Sequence, residues 1–184
     1  MNRFLPALIA LFLASCSAPG KSFYVLSPEG PAPSGGGRGI GVGPVTIAGY
    51  LDRPNIVFKQ SDHQLAIAES NRWAGDLGEN ITRVLATNLG RQLNTGNVRT
   101  YPWTGDEGLQ YQVTLDIRSL HGTPEGDAFI EASWRIYSLP NRSIISTRTW
   151  SGTETLASDG YDALVAAESR LLATLAREIA ASIR

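Results

Sequence analysis

The chain has 184 residues, 42% of them apolar, and its 16 basic side chains nearly balance 17 acidic ones for a formal charge of −1 at pH 7. That length suits one compact domain, and the charge balance excludes both the basic footprint of a nucleic-acid binder and a polybasic patch for anionic headgroups. With one cysteine and two histidines, few groups are left for thiol or metal chemistry.

The start of the chain sets the compartment. MNR is followed by FLPALIALFL, roughly ten residues without charge, and then by LASC at Leu13 to Cys16. A basic start, a short apolar core and small residues before a cut make a secretory signal peptide, too short to cross a bilayer as a mature helix. Leu13-Ala14-Ser15-Cys16 resembles the bacterial lipobox, in which the cysteine is diacylated on sulfur and becomes the new N-terminus. Residues 1–15 are therefore expected to be removed, Cys16 to carry the lipid, and residues 16–21 to form a short tether. Each buried methylene contributes about 0.8 kcal/mol, so two or three acyl chains hold firmly. Ser17 follows the cysteine where inner-membrane retention usually has aspartate, so the outer membrane, with the domain facing the periplasm, is the expected site. Removing residues 1–15 from 184 leaves 169, and loss of Arg3 leaves 15 basic against 17 acidic side chains.

A single domain is expected over residues 22–184. SFYVLS at Ser22 to Ser27 reads as a first strand, and only Ser17 to Lys21 separate it from Cys16, a reach of at most roughly 17 Å. PEGPAPSGGGRG, residues 28–39, is too rich in Pro and Gly to pack and predicts a mobile connection. GGGRGIGVGP matches neither G-x-G-x-x-G between strand and helix nor the P-loop pattern, and the strand-like VGPVTIA follows it. In YLDRPNIVFK, Asp52-Arg53-Pro54 predicts a corner: residue 53 is pushed to extended geometry by the proline, which itself removes a ladder donor. Asp52 can bond nearby amides. Val57 to Ala68 predicts a hairpin around Gln60-Ser61-Asp62-His63.

Then the period changes. Trp73, Leu77, Ile81, Val84, Leu85, Asn88, Leu89 and Leu93 predict a helix over about 74–93, stopped by Asn94-Thr95-Gly96-Asn97 with Gly96 as a left-handed cap. After the short run NVRTYPW, a meander follows. Its first strand, Tyr111–Ser119, alternates Tyr111, Val113, Leu115 and Ile117 with polar residues. The second, Phe129–Ser138, has Ile130, Ala132, Trp134 and Ile136 on one face, and the third covers about 143–153. A last helix over about 161–182 carries Leu164, Leu171, Leu172, Leu175, Ile179 and Ile183 on one stripe, widened by alanines, with Glu168, Arg170, Arg177 and Glu178 mostly off it. The fold class is α/β: a mixed, largely antiparallel sheet with a C-terminal three-strand meander, packed on two main helices.

No catalytic constellation is found. His63 and His121 are expected in exposed turns outside any metal spacing, and no G-x-S-x-G elbow is present. Asp106-Glu107 reads as solvated loop, not a carboxylate pair across a cleft. No catalytic residue, cofactor or metal is expected, and function by binding gains weight. The corner residues Tyr50, Leu51, Asp52, Arg53 and Pro54 are the candidate partner contact, set against a plain local turn or a surface ion pair contributing roughly 0 to 1 kcal/mol.

Several segments together carry a resemblance: the lipobox cysteine, FYVLS, VGPVTIAGYLDRPNIV, IAESNRWAGDLGENITRVLATNLGRQL, YPW, EASWRIY and DALVAAESRLLATLAREIA. The chain resembles the PqiC-like family of ABC-type transport auxiliary lipoproteins over nearly all of its mature length. The resemblance implies an outer-membrane lipoprotein that works with an MCE-domain tunnel protein and its inner-membrane transport component. It implies a part in moving lipids between membranes and in envelope integrity, and a homo-oligomer docked to a tunnel end. Ala48-Gly49 departs from the pattern, since a proline is expected near Tyr50. Two readings compete: another periplasmic scaffold, such as an activator of a cell-wall synthase, which favours a longer tether, and a lipid-anchored hydrolase, which needs a nucleophile or metal set.

Overall fold

The structure, a computed structural model, describes residues 20–183, so Cys16 and the signal segment lie outside the described residues. The elements in order are β1 (Ser22–Tyr24), β2 (Gly39–Ile47), β3 (Asn55–Ser61), β4 (Gln64–Trp73), α1 (Leu77–Gln92), β5 (Val98–Thr100), β6 (Leu109–Gly122), β7 (Asp127–Ser138), β8 (Ser143–Thr155) and α2 (Tyr161–Ala181). They make one mixed sheet of eight strands with two helices, the fold class expected from the pattern.

β6 organises the sheet. On one side it pairs antiparallel with β7 along nearly its whole length, and β7 pairs antiparallel with β8. On the other side β2 lies parallel to its first half, and β3 meets it at a single pair, Phe58 with Gly122. β5 extends β2 in parallel, while β4 joins the β3 hairpin to β1. The long antiparallel ladders are the expected meander. The parallel pair β2–β5 needs a crossover, and the segment that ends in α1 supplies it.

The two helices pack on each other and on one face of the sheet. Val113, Leu115 and Ile117 of β6 and Ile130, Ala132, Trp134 and Ile136 of β7 point into that layer, each no more than 3% exposed. The alternate residues Asp116, Arg118 and Glu131 stay outside, where the Arg118 guanidinium lies 3.5 Å from Asp116 and 3.4 Å from Glu131.

Both helix starts have local causes. Trp73 closes β4 opposite Tyr24, and Gly75 at φ +141° turns the chain out of the strand. The first helix therefore begins at Leu77 rather than 74, with Asp76 accepting from the Glu79 N–H at 2.7 Å, a side-chain N-cap. At its end the left-handed residue is Asn94, φ 48°, and not Gly96; asparagine tolerates that region because its short amide bonds locally. Two polar side chains also differ from expectation. His121 is 7% exposed, and Glu168 is 1% exposed on the buried stripe of α2.

Segment 28–39 forms no regular element before Gly39, in keeping with its composition. It differs from the expected mobile connection, however, in being fastened. With the residues just before it, it runs as a strap along the helix pair. The Leu26 N–H donates to Asn80 Oδ1 at 2.8 Å, Ser27 N–H to Ser169 Oγ at 3.1 Å, Glu29 N–H to Asn88 Oδ1 at 2.9 Å, and Ser34 N–H to Asn94 Oδ1 at 2.9 Å. Arg38 ends the strap on Tyr111 Oη and the Ile183 carbonyl. The side-chain acceptors take N–H groups that no neighbouring strand pairs, and Leu26, 2% exposed, plugs the core beneath. The GIGVGP glycines serve close packing too: a Cβ on Gly41 would lie 2.5 Å from the Trp103 ring.

Two outcomes follow. Asn80→Ala leaves the buried Leu26 N–H without its acceptor, at a cost of about 1–3 kcal/mol; melts should show that loss, and hydrogen exchange should speed up over residues 26–29 while α2 stays protected. Burial raises the Glu168 carboxyl from its ordinary 4.5 to about 8. Between those values the folded state holds a proton that the unfolded state has lost, so stability falls as pH rises through this window. At about 1.4 kcal/mol per unit, the change amounts to several kcal/mol. Glu168→Gln should remove that decline, read as a melting-temperature gap between variant and parent that widens from pH 5 to pH 8.

Candidate functional site

The corner joining β2 to β3 is held by its own backbone, by β6 and by the end of β4. The Ala48 N–H donates to the Ile117 carbonyl at 2.9 Å, Leu51 N–H to Ala48 at 2.8 Å and Arg53 N–H to Leu51 at 2.8 Å, while the Pro54 carbonyl accepts from the Trp73 N–H at 2.7 Å. The Tyr50 hydroxyl donates to the Arg118 carbonyl at 3.3 Å. The five candidate residues are therefore not equivalent. Leu51 is 2% exposed and belongs to the core, so it supports the tip from beneath and offers a partner nothing. Asp52 and Pro54 are exposed, and Tyr50 and Arg53 half-buried. Among the described residues Asp52 and Arg53 make no ion pair with each other.

Two surface grooves flank the tip. Asp52 lines one of about 680 Å³, bounded by the N-terminal end of α1 and by Thr46 and Tyr101. Its charged groups are Asp52, Asp76, Glu79 and Arg83, with Arg83 3.9 Å from Glu79. Three carboxylates against one guanidinium favour a cationic visitor. Tyr50 lines the other, about 850 Å³, between the β3–β4 hairpin and the β6–β7 turn, with Lys59, His63, Leu65, His121 and Phe129. Sequence reasoning placed Asp52 and Tyr50 in one turn; the structure makes that turn the ridge between two grooves.

His121 was expected in an exposed turn and instead lies inside β6. A register irregularity between Ile117 and Ser119 shifts the alternation, and His121 then pairs across the ladder with Phe129, ring centroids 5.6 Å apart. Its Nδ1 stands 3.2 Å from the Gly122 carbonyl, an acceptor that selects the Nδ1–H tautomer. Burial lowers its pKa, opposed by that carbonyl and reinforced by Lys59. His63 stays in the exposed hairpin turn. Asp106 is used structurally, accepting from the Trp103 indole at 2.9 Å. Among the described residues no group of three His, Cys, Asp or Glu side chains is placed to hold a metal ion.

Glu168 was missed, although a signal existed: it stands four residues from both Leu164 and Leu172, both on the buried stripe. One of its oxygens has no hydrogen-bond partner. The shift of His121 had no comparable signal, because a strand irregularity leaves no periodic trace.

Comparison with known proteins agrees with this architecture. The chain is 28% identical to the intermembrane transport lipoprotein PqiC of Escherichia coli (strain K12) over 189 aligned residues, covering 100% of this chain and 96% of that protein; the PqiC of Shigella flexneri gives the same figures. A crystal structure described as an uncharacterized protein superposes with a TM-score of 0.75 at 25% identity, over 90% of this chain and 99% of that one. Protein XCC0632 from Xanthomonas campestris shares the fold at a TM-score of 0.67 and 16% identity, over 86% and 92% of the two chains. The model of the ABC-type transport auxiliary lipoprotein component family matches residues 24–180, and the chain belongs to that family.

Proposed function

We propose that this chain is the outer-membrane auxiliary lipoprotein of an MCE-type intermembrane transport system, anchored through acyl chains on Cys16 and facing the periplasm. It works without chemistry of its own: the domain captures the distal end of a periplasmic tunnel protein whose inner-membrane component drives transport. Lipids pass through or beside the assembly, which contains several copies of the chain and supports envelope integrity. The observation that carries this reading is the end-to-end similarity to proteins named as intermembrane transport lipoproteins. The LASC sequence at Leu13 to Cys16 and the five-residue tether support the anchor. No helix among the described residues is long and apolar enough to cross a membrane, so acyl chains are the attachment this reading requires.

Tyr50, Asp52, Arg53 and Pro54 are the proposed partner contact, with Leu51 as their support. The rigid ridge and the carboxylate-rich groove beside it fit a partner segment carrying lysine or arginine.

Affinity isolation of the tagged lipoprotein from gently solubilised envelope should recover an MCE-domain protein; recovery of only the monomeric lipoprotein would count against the reading. Cys16→Ala should move the domain from the membrane fraction to the soluble one. Joint replacement of Asp52 and Arg53 by alanine should change stability by no more than about 1 kcal/mol and sharply reduce recovery of the partner. An unchanged complex would make the segment a turn and nothing more.

A further inference from the structure

Three large apolar side chains stand open on two adjoining strands: Phe23 on β1, 63% exposed, and Leu65 and Ile67 on β4, 40% and 48% exposed. Their orientation follows from the pairing. Tyr24 turns to the helix side, with its ring 6.2 Å from that of Tyr161, and successive strand residues point to opposite faces, so Phe23 points away from the helices. On β4 both Ala68 and Trp73 are buried, but the pairing with β3 is irregular between Ile67 and Arg72, so Trp73 does not set the side of the earlier residues, and Ala68 puts Leu65 and Ile67 on the outer face as well. Arg72 lies across from Phe23 and Lys59 across from Leu65. Two acids offset them: Asp62, 3.0 Å from Lys59, and Glu69, the one acidic side chain of β4. Apolar contact, not charge, therefore characterises this face.

The tether says what covers it. β1 is the first described element, and Phe23 follows Cys16 by seven residues, a reach of at most about 25 Å when extended. The strap then fastens the chain after β1 to the helix pair, so β1 cannot swing away from the domain.

We propose that the outer face of β1–β4, with Phe23, Leu65 and Ile67, rests in the headgroup layer of the bilayer that holds the anchor and so fixes the orientation of the domain on it. The inference rests on lipidation of Cys16. Acyl chains supply the attachment, and the three side chains supply the angle. The groove beside Leu65 then opens at the bilayer surface.

The test uses the mature lipidated protein in phosphatidylethanolamine–phosphatidylglycerol vesicles, with an environment-sensitive fluorophore on Phe23→Cys, on Ile67→Cys, or on Thr87→Cys at the outer side of α1. Cys16, acylated on sulfur, does not react. Spin-labelled lipids should quench the probes at 23 and 67 several-fold more than the probe at 87. Equal, weak quenching at all three positions while the protein floats with the vesicles overturns the docking and leaves the anchor standing. Failure to float overturns both. Shielding of 23 and 67 that depends on protein concentration and not on lipid assigns the face to a second copy and also overturns the proposal. Phe23→Asp with Ile67→Asp should keep flotation and abolish the difference in quenching at a probe on Leu65→Cys relative to Thr87→Cys.

Discussion

The close seat of α2 on the meander is the contact on which the rest of the fold depends. Ala167, Ala176 and Ala180 are fully buried, as are Leu172, Leu175 and Ile179 between them. The small residues let the helix approach the strands, and the larger ones fill the space among Ile117, Ile130 and Ile136. Full burial of each Leu or Ile contributes about 1.5–3 kcal/mol, whereas an exposed pair such as Arg118 with Asp116 contributes about 1 kcal/mol at most. This seam also fixes which sheet face is covered. With both helices on one side, the other side must be polar or meet something else. The β6–β7 portion is polar; the β1–β4 portion sets the exposed Phe23, Leu65 and Ile67 among charged neighbours.

The meander and the last helix were legible in the sequence because a single periodicity ran through each. Val113, Leu115 and Ile117 alternate without interruption, and the α2 stripe keeps its spacing to Ile183. The same logic failed where two signals overlapped. Trp73 fits the helical spacing of Leu77 and Ile81, yet it closes β4, since strand pairing with Tyr24 and the turn at Gly75 outweigh a residue's place in a pattern. Glu168 shows the reverse error: charge suggested the surface, while its position four residues from Leu164 and Leu172 put it in the core.

Pairing between distant strands was not legible. Nothing local in VGPVTIA states that β2 will lie parallel to β6, some seventy residues on; that pairing depends on how the whole intervening chain is laid out. The strap was hidden for a related reason. A segment whose prolines lack donors and whose glycines favour the unfolded chain reads from composition alone as mobile. Its order comes from Asn80 and Asn88 on α1, Asn94 just past the end of α1 and Ser169 on α2, side chains that the segment itself does not contain. The candidate corner was legible as a corner, and its five residues were read as one tip because Leu51 gave no sign of entering the core.

That division within the corner bears on what it can do. A turn that only reverses the chain needs its own backbone bonds, such as Leu51 to Ala48. This one is also tied to β6 through the Ile117 and Arg118 carbonyls and to the end of β4 through Trp73, with Leu51 packed beneath. Asp52 and Pro54 are consequently held out on a base that cannot relax, and a group already fixed in its bound position loses little freedom on association. Ordering of this kind is not required for the stability of the turn. It lowers the cost of docking, and it places the ridge on the same strand, β6, that carries the meander beneath α2. A load applied at the ridge therefore reaches the most firmly packed part of the domain first.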